Sequence, residues 1–274
     1  MSARPEPSVT LLVGAGRMGS ALLKGWVSRG IKRLAAVEPA PQPDIRHFAR
    51  AHRIDLYARP EDAARVQVGA CVVALKPQIL RSEAHRLASI AKSGALMISI
   101  AAGTGIAELR RSWGRSARIV RAMPNTPGSI GRGISALYAP DNVSARARAQ
   151  AQSLLAGLGE TLWLDREGLI DAVTAVSGSG PAYVFLFAEC LEHAARAQGL
   201  PAKIARRLAR ATISGSGALL DADVRDAEAL RRDVASPGGT TEAALRVLMN
   251  DDAMSNLIVE AVRAARARAS DLRG

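Results

Sequence analysis

A glycine triplet constrains this chain more than any other feature. Gly14, Gly16 and Gly19 follow the pattern GxGxxG, directly after a short apolar run at 8–13. Beyond them, 17–28 carries Met18, Ala21, Leu22 and Trp26 at helical spacing. Strand, tight glycine turn and helix in that order make a dinucleotide-binding turn. The first glycine bends the chain, the second lets backbone approach a pyrophosphate, and the third lets helix and strand pack closely. The N–H groups that open the helix then face the phosphates. A chain with 24 glycines in 274 residues carries about 0.2 such triplets by chance, so the place of the motif after a first strand gives it its weight.

Further apolar runs at 34–37, 70–75 (ACVVAL), 96–100 (LMISI) and 118–122 predict strands, followed by later ones at 133–138 and 160–164. The stretches 45–52 and 144–155 read as helices. Strands of this kind, separated by helices, predict a parallel sheet covered on both faces. From about 165 no strand pattern remains. Helices are predicted at 181–198, 201–220, 241–249 and 252–268. The first opens on Pro181 and ends before Gly199, which marks both boundaries. Its residues 182–188 have no polar face apart from the Tyr183 hydroxyl, so it should be buried on every side. Such helices bury little surface alone, and we expect them to pack against a second copy of the chain. The boundary falls near Leu164, giving an α/β domain at 1–164 and an all-α domain at 165–274.

Composition narrows the function classes. Lys and Arg number 37 against 25 Asp and Glu, a net charge of +12. The basic residues are spread over helix surfaces, and no aromatic side chains interleave with them to stack bases, which argues against a nucleic-acid partner. Cys71 and Cys190 are far apart, so a disulfide framework is not expected and a reducing, cytoplasmic compartment fits. No apolar stretch near the start reads as a signal peptide. The segment closest to a membrane span, 172–191, is interrupted by Ser-Gly-Ser-Gly-Pro and carries Glu189; it reads as a core helix. His47, His52, His85 and His193 show neither metal-ligand spacing nor a catalytic triad pattern, and no metal is expected.

Three turns follow predicted strands at the sheet edge where open α/β folds bind ligands: Leu75-Lys76-Pro77-Gln78, Ala101-Ala102-Gly103-Thr104 and Met123-Pro124-Asn125-Thr126-Pro127. Glu38 ends the second strand, where a carboxylate accepts hydrogen bonds from ribose hydroxyls and repels a 2′-phosphate. That favours NADH over NADPH, unless Arg33 or Arg46 attends the phosphate. In the second half, Ser236-Pro237-Gly238-Gly239-Thr240-Thr241 opens a helix. Its free N–H groups make a natural seat for a carboxylate.

These motifs together resemble pyrroline-5-carboxylate reductase. GAGRMG at 14–19, LKPQ at 75–78, IAAG at 100–103, RAMPNTP at 121–127, AVSGSGPAY at 175–183 and VASPGGTT at 234–241 occur in the family's order and span nearly the whole chain. The resemblance implies a Rossmann domain followed by a helical dimerisation domain, with dimers that often assemble into rings. It implies NAD(P)H-dependent reduction of a cyclic imino acid to proline. Gly14, Ala15, Gly16, Arg17 and Met18 would hold the pyrophosphate, and Glu38 and Pro39 would flank the ribose. Ala74, Leu75, Lys76, Pro77, Ile100, Ala101 and Ala102 would line the cofactor cleft, with Asn125 near the nicotinamide. Val234, Ser236, Gly238, Gly239 and Thr240 would hold the substrate carboxylate, Thr241 would hydrogen-bond the ring nitrogen as the catalytic group, and Glu167 would lie near the substrate. Glu38, Glu61 and Asp233 depart from the family's usual residues, all toward acid, a pattern that fits a shift toward NADH. The rivals are a 3-hydroxyacid dehydrogenase of the related helical-domain type, for which Lys203 is the one lysine of the second half, and a non-catalytic redox-sensing or nucleic-acid-binding protein on the same fold.

Overall fold

The structure, a computed structural model, describes residues 8–272. The opening segment, read for a targeting signal, lies largely outside the described residues. The chain divides into two compact units. One runs to Gly178 and takes up the chain again from Ala265; the other is Ser179–Ala264.

The first unit is built on an eight-stranded sheet in the order β3-β2-β1-β4-β5-β6-β7-β8. The strands are β1 Val9–Val13, β2 Leu34–Val37, β3 Asp55–Tyr57, β4 Val68–Val73, β5 Leu96–Ser99, β6 Arg118–Met123, β7 Gly133–Tyr138 and β8 Gly159–Trp163. Every residue of β1, β2 and β5 is buried, as continuous apolar runs require. The expected parallel sheet needs one correction: β7 pairs antiparallel with β6, and every other neighbouring pair is parallel. The link at 124–132 holds one short 3₁₀ turn, Thr126–Ile130, which is too little chain for a crossover helix, so the strand must double back.

Helices cover both faces. On one, α1 Arg17–Ser28, α2 Pro43–Ala51 and α7 Ala145–Leu155 bring Leu22, Trp26, Ile45 and Leu155 onto Leu12, Val72, Ile98 and Val120. On the other, α4 Pro77–Glu83, α5 Ala88–Lys92 and α6 Ile106–Trp113 bring Leu80, Ile90, Leu109 and Trp113 onto Leu11, Val13, Val73 and Ile119. Each buried indole donates to a backbone carbonyl, Trp26 to Leu154 at 2.8 Å and Trp113 to Ala84 at 3.0 Å, so neither core carries an unpaired N–H there. The short helix α3 Pro60–Ala63 and the helices α4 to α6 are not among the expected elements, although Ile106, Leu109 and Trp113 of α6 stand at helical spacing.

The last strand ends at Trp163, close to the expected boundary, yet the compact units part at Gly178. The reason is α8 Leu169–Val173 and the π-helical turn Thr174–Gly178 after it. Ile170, Asp171 and Ala175 are buried there, and α8 packs on β6 and β7, so this segment stays with the sheet.

The second unit holds α9 Gly180–Ala197, α10 Ala202–Ala222, α11 Ala227–Asp233, α12 Thr240–Met249 and the start of α13 Ala253–Asp271, whose last turns count with the first unit. The α9 helix packs along α10. Small residues make that contact: Ala205 and Ala209 are the buried residues of α10, and α9 has none. The expected all-round burial of α9 is therefore not met within one chain. Val184, Phe185, Leu186 and Phe187 are exposed, as are Leu257, Ile258 and Val259 on α13. The continuous helical stretch Leu169–Ala197 is long and apolar enough to cross a membrane by length and composition.

Candidate active site

Gly14 leaves β1 with φ 92°, a left-handed conformation that glycine adopts without strain. Its N–H donates to Val37 O at 2.9 Å, which anchors the turn to β2. A Cβ on Gly19 would lie 2.0 Å from Gly14 O, so the helix can approach the turn only without a side chain. At Gly16 the opposite holds: nothing lies within 4 Å of where a Cβ would stand. Gly16 caps α1 with no side-chain hydrogen bond, and the first turn of α1 contains no acidic residue. Open space beside the N–H groups that open α1 is what a pyrophosphate requires.

Glu38 follows β2 and is half-buried. Its Oε2 accepts from the Ala15 N–H at 2.8 Å and its Oε1 from the Ala40 N–H at 3.3 Å. The carboxylate is thus fixed at the mouth of the glycine turn, with Pro39 exposed beside it. Of the two arginines considered for a 2′-phosphate, Arg33 precedes β2 and lies at the far end of the strand from Glu38; it cannot serve. Arg46, on α2, donates to Pro41 O at 3.0 Å.

Since β1, β4, β5 and β6 run parallel, the turns after them emerge at one sheet edge. The Ala74 N–H donates to Val13 O at 2.8 Å and the Ile100 N–H to Val73 O at 3.1 Å, which carries the ladder into both turns. Pro77 opens α4 just after Leu75 and Lys76. Ala101 is buried, and Ala102 is half-buried. Asn125 follows β6, and its side-chain oxygen accepts from the Ile134 N–H at 3.0 Å, so it pins the start of β7.

Glu167 is placed under this edge. Its Oε1 accepts from both the Ile106 N–H, at 2.8 Å, and Arg121 Nη1, at 2.8 Å. The carboxylate expected beside the substrate is therefore engaged inside the first unit. Arg121 is a site residue that the motif RAMPNTP does not single out by itself. The signal was an arginine inside the apolar strand RIVRAM, since a buried guanidinium requires an anion.

In the second unit, Ser236 to Gly239 form a turn with Pro237 second and Gly238 third, at φ 71°. The Gly239 N–H donates back to Ser236 O at 2.9 Å. This is the type II pattern of Pro then Gly. Gly239 caps α12 without a side-chain bond. The first intrahelical bond runs from the Ala243 N–H to Gly239 O at 3.2 Å, so the N–H groups of Thr240 and Thr241 precede the helical ladder. The Gly238 N–H donates to Glu242 Oε2 at 2.6 Å: a carboxylate of the chain itself sits on this turn. Thr241 is half-buried, while Val234, Ser236 and Thr240 are exposed.

The other two acidic departures are occupied by arginines. Glu61 forms a two-pronged pair with Arg86, at 2.8 and 2.9 Å, which holds its carboxyl down at about 2. Asp233 pairs with Arg225 at 2.8 Å. Of the three, Glu38 is the one hydrogen-bonded to the glycine turn.

Residues 167–272 match the family model for pyrroline-5-carboxylate reductase dimerisation, and residues 8–103 that for NADP oxidoreductase, coenzyme F420-dependent. A pyrroline-5-carboxylate reductase of Pseudomonas aeruginosa is 38% identical over 263 residues, 95% of each chain. The chain belongs to the pyrroline-5-carboxylate reductase family. A solved pyrroline-5-carboxylate reductase from Coxiella burnetii superposes with a TM-score of 0.90 at 30% identity, covering 97% of this chain and 99% of that one. One from Plasmodium falciparum, solved with NADP bound, gives 0.82 at 28% identity over 98% and 99%. Membership in the family sets aside the hydroxyacid dehydrogenase reading. Lys203, which that reading needs as a catalytic base, is exposed at the start of α10.

Proposed function

We propose that this protein reduces 1-pyrroline-5-carboxylate to L-proline, the last step of proline biosynthesis, with a reduced nicotinamide dinucleotide. The observation that carries the reading is the turn at 236–239. It holds a carboxylate on the Gly238 N–H, in a chain whose other unit carries an open dinucleotide turn at Gly16.

When bound, the reduced nicotinamide supplies a hydride to the imine carbon. The chain's own task is to hold two ligands and steady one nitrogen. Gly14, Ala15 and Gly16 shape the turn, and the backbone N–H groups of Arg17 and Met18 at the start of α1 hold the pyrophosphate. Glu38 accepts from the ribose hydroxyls while the Ala15 N–H stands beside it as a donor, a pairing suited to a diol and hostile to a 2′-phosphate; we read the preference as NADH. Ala74, Leu75, Lys76 and Pro77 line the cleft with Ile100, Ala101 and Ala102, and Asn125 borders the nicotinamide. The substrate carboxylate takes the N–H groups of Gly238 and Thr240, with Val234, Ser236 and Gly239 flanking it, and Glu242 must then give up the Gly238 N–H, while the Gly239 N–H stays on Ser236 O and keeps the turn closed. On the neutral imine the Thr241 hydroxyl donates to the ring nitrogen and relays to it a proton supplied by solvent; on the protonated imine the nitrogen N–H donates to the Thr241 oxygen instead. A protonated imine is already electrophilic, so neither a strong acid nor a metal is called for.

The working form is a homodimer through the C-terminal helices, and assembly of such dimers into a ring is the further state the mass measurement distinguishes. Support comes from the dimerisation family matched at 167–272 and from the exposed large apolar residues of α9 and α13. The compartment is the cytoplasm, in keeping with two free cysteines. The test is oxidation of NADH and NADPH with pyrroline-5-carboxylate as acceptor, with the mass in solution measured alongside. Turnover by a dimer or larger assembly is expected. No turnover with either dinucleotide refutes the reading.

A further inference from the structure

We propose that Glu167, backed by Arg121, is a positioning residue that sets the turn between β5 and α6 for dinucleotide binding. The inference rests on the reading that Ile100, Ala101 and Ala102 line the cofactor cleft. It replaces direct substrate contact by Glu167 with action through that turn.

The turn at 100–105 is fixed at two ends. At its start the Ile100 N–H joins β4 through Val73 O, at 3.1 Å. At its end α6 begins on Gly105, which has no side chain to cap the helix. Glu167 supplies the missing cap from 61 residues away, accepting the Ile106 N–H at 2.8 Å. The same oxygen takes Arg121 Nη1 at 2.8 Å. Arg121 is 2% exposed, so its guanidinium cannot turn to solvent and its place is set by β6. One carboxylate oxygen therefore ties the start of α6 to the strand that leads, two residues on, to Met123, Pro124 and Asn125. Two of the cleft turns are joined through it. A Cβ on Gly105 would lie 3.4 Å from this oxygen, so the approach is close. On its other side the turn is held at Gly103, whose carbonyl accepts Arg81 Nη2 at 3.4 Å and whose missing side chain leaves room for Leu272, 3.0 Å from where a Cβ would stand. Between these anchors Thr104 Oγ1 is buried with no hydrogen-bond partner; the conformation is imposed from outside the turn.

The variants are Glu167→Gln, which keeps an acceptor for the Ile106 N–H but removes the charge facing Arg121, and Glu167→Ala, which removes both contacts. Three quantities are measured: the dissociation constant for NADH by nicotinamide fluorescence, the KM of each substrate, and the melting temperature of the dinucleotide-free protein. The expected result is a rise in the NADH dissociation constant of about three- to thirtyfold, larger for Ala than for Gln, with the KM for the imine within about twofold of wild type. Wild-type NADH affinity in both variants overturns the proposal, whatever happens to the melting temperature. So does a rise confined to the KM of the imine, which would make Glu167 a substrate contact. If Glu167→Ala does not fold, Arg121→Lys replaces it with the same expectations. A wild-type protein that binds neither dinucleotide removes the underlying cofactor reading as well; wild-type binding with unaltered variants removes the positioning role alone.

Discussion

Glu38→Gln is the sharpest perturbation of the cofactor reading. The wild-type carboxylate accepts the Ala15 N–H at 2.8 Å, and the glutamine amide oxygen keeps that bond while the charge disappears. A 2′-phosphate brings between about 1.5 and 2 negative charges. Two unit charges 4 Å apart repel by about 1 kcal/mol in bulk water and about 4 kcal/mol at the effective dielectric of a protein surface. Glu38 is half-buried, so a cost of about 2–4 kcal/mol follows, a factor of roughly thirty to several hundred in binding. The assay is kcat/KM for NADH and NADPH under saturating pyrroline-5-carboxylate. The ratio of NADPH to NADH should rise at least about tenfold in Glu38→Gln. It should rise further in Glu38→Ser, which also withdraws a ribose acceptor from NADH. Wild-type discrimination should shrink as salt rises, because the screening length falls from about 30 Å at 0.01 M to about 3 Å at 1 M. A wild-type enzyme that strongly prefers NADPH, or a ratio that Glu38→Gln leaves in place, would refute the reasoning. Arg46 would then be the residue to remove next.

Thr241→Val keeps the shape of the side chain and deletes its hydroxyl, and kcat/KM should fall at least about tenfold; an unchanged rate takes Thr241 out of the proton relay. Gly19→Ala forces a Cβ to within 2.0 Å of Gly14 O. It should weaken both dinucleotides and cost about 1–3 kcal/mol in denaturant unfolding, and a variant with normal stability and affinity would contradict the packing described. Burial alone pushes the Cys71 thiol up to about 12, so thiolate is scarce at neutral pH. Mass spectrometry after a thiol reagent at pH 8 should find Cys71 unlabelled until the protein is unfolded.

What the sequence made legible follows from how local each signal is. ACVVAL announces β4 because a strand buried on both faces needs no partner to be recognised. The glycine spacing announces the cofactor turn because Gly14 answers a local left-handed φ and Gly19 a close approach to Gly14 O, five residues away. By contrast, β3 is three residues long with an exposed and half-buried pattern, so nothing apolar marks it. The reversal at β7 depends on the length of the link after β6, not on the composition of either strand. The pairing of Arg121 with Glu167 spans 46 residues; the strand reveals that an anion is needed but not which one. The apolar circumference of α9 is plain in the sequence, yet within one chain it stays exposed.

Both ligand-holding turns already carry a carboxylate of the chain on a backbone N–H, Glu38 on Ala15 and Glu242 on Gly238. The chemistry of each expected ligand gives the two opposite fates. A ribose diol both donates and accepts, so Glu38 and the Ala15 N–H can serve it together, and the acid remains in place on binding. The carboxylate of a cyclic imino acid only accepts, so it competes with Glu242 for the same donor. On the proposed function Glu38 selects between ligands by its charge, while Glu242 subtracts from the affinity for one by occupying its seat. In a chain of net charge +12 that attracts anions generally, these two acids, Glu38 held by the N–H groups of Ala15 and Ala40 and Glu242 by that of Gly238, would on the proposed function discriminate where the overall field cannot.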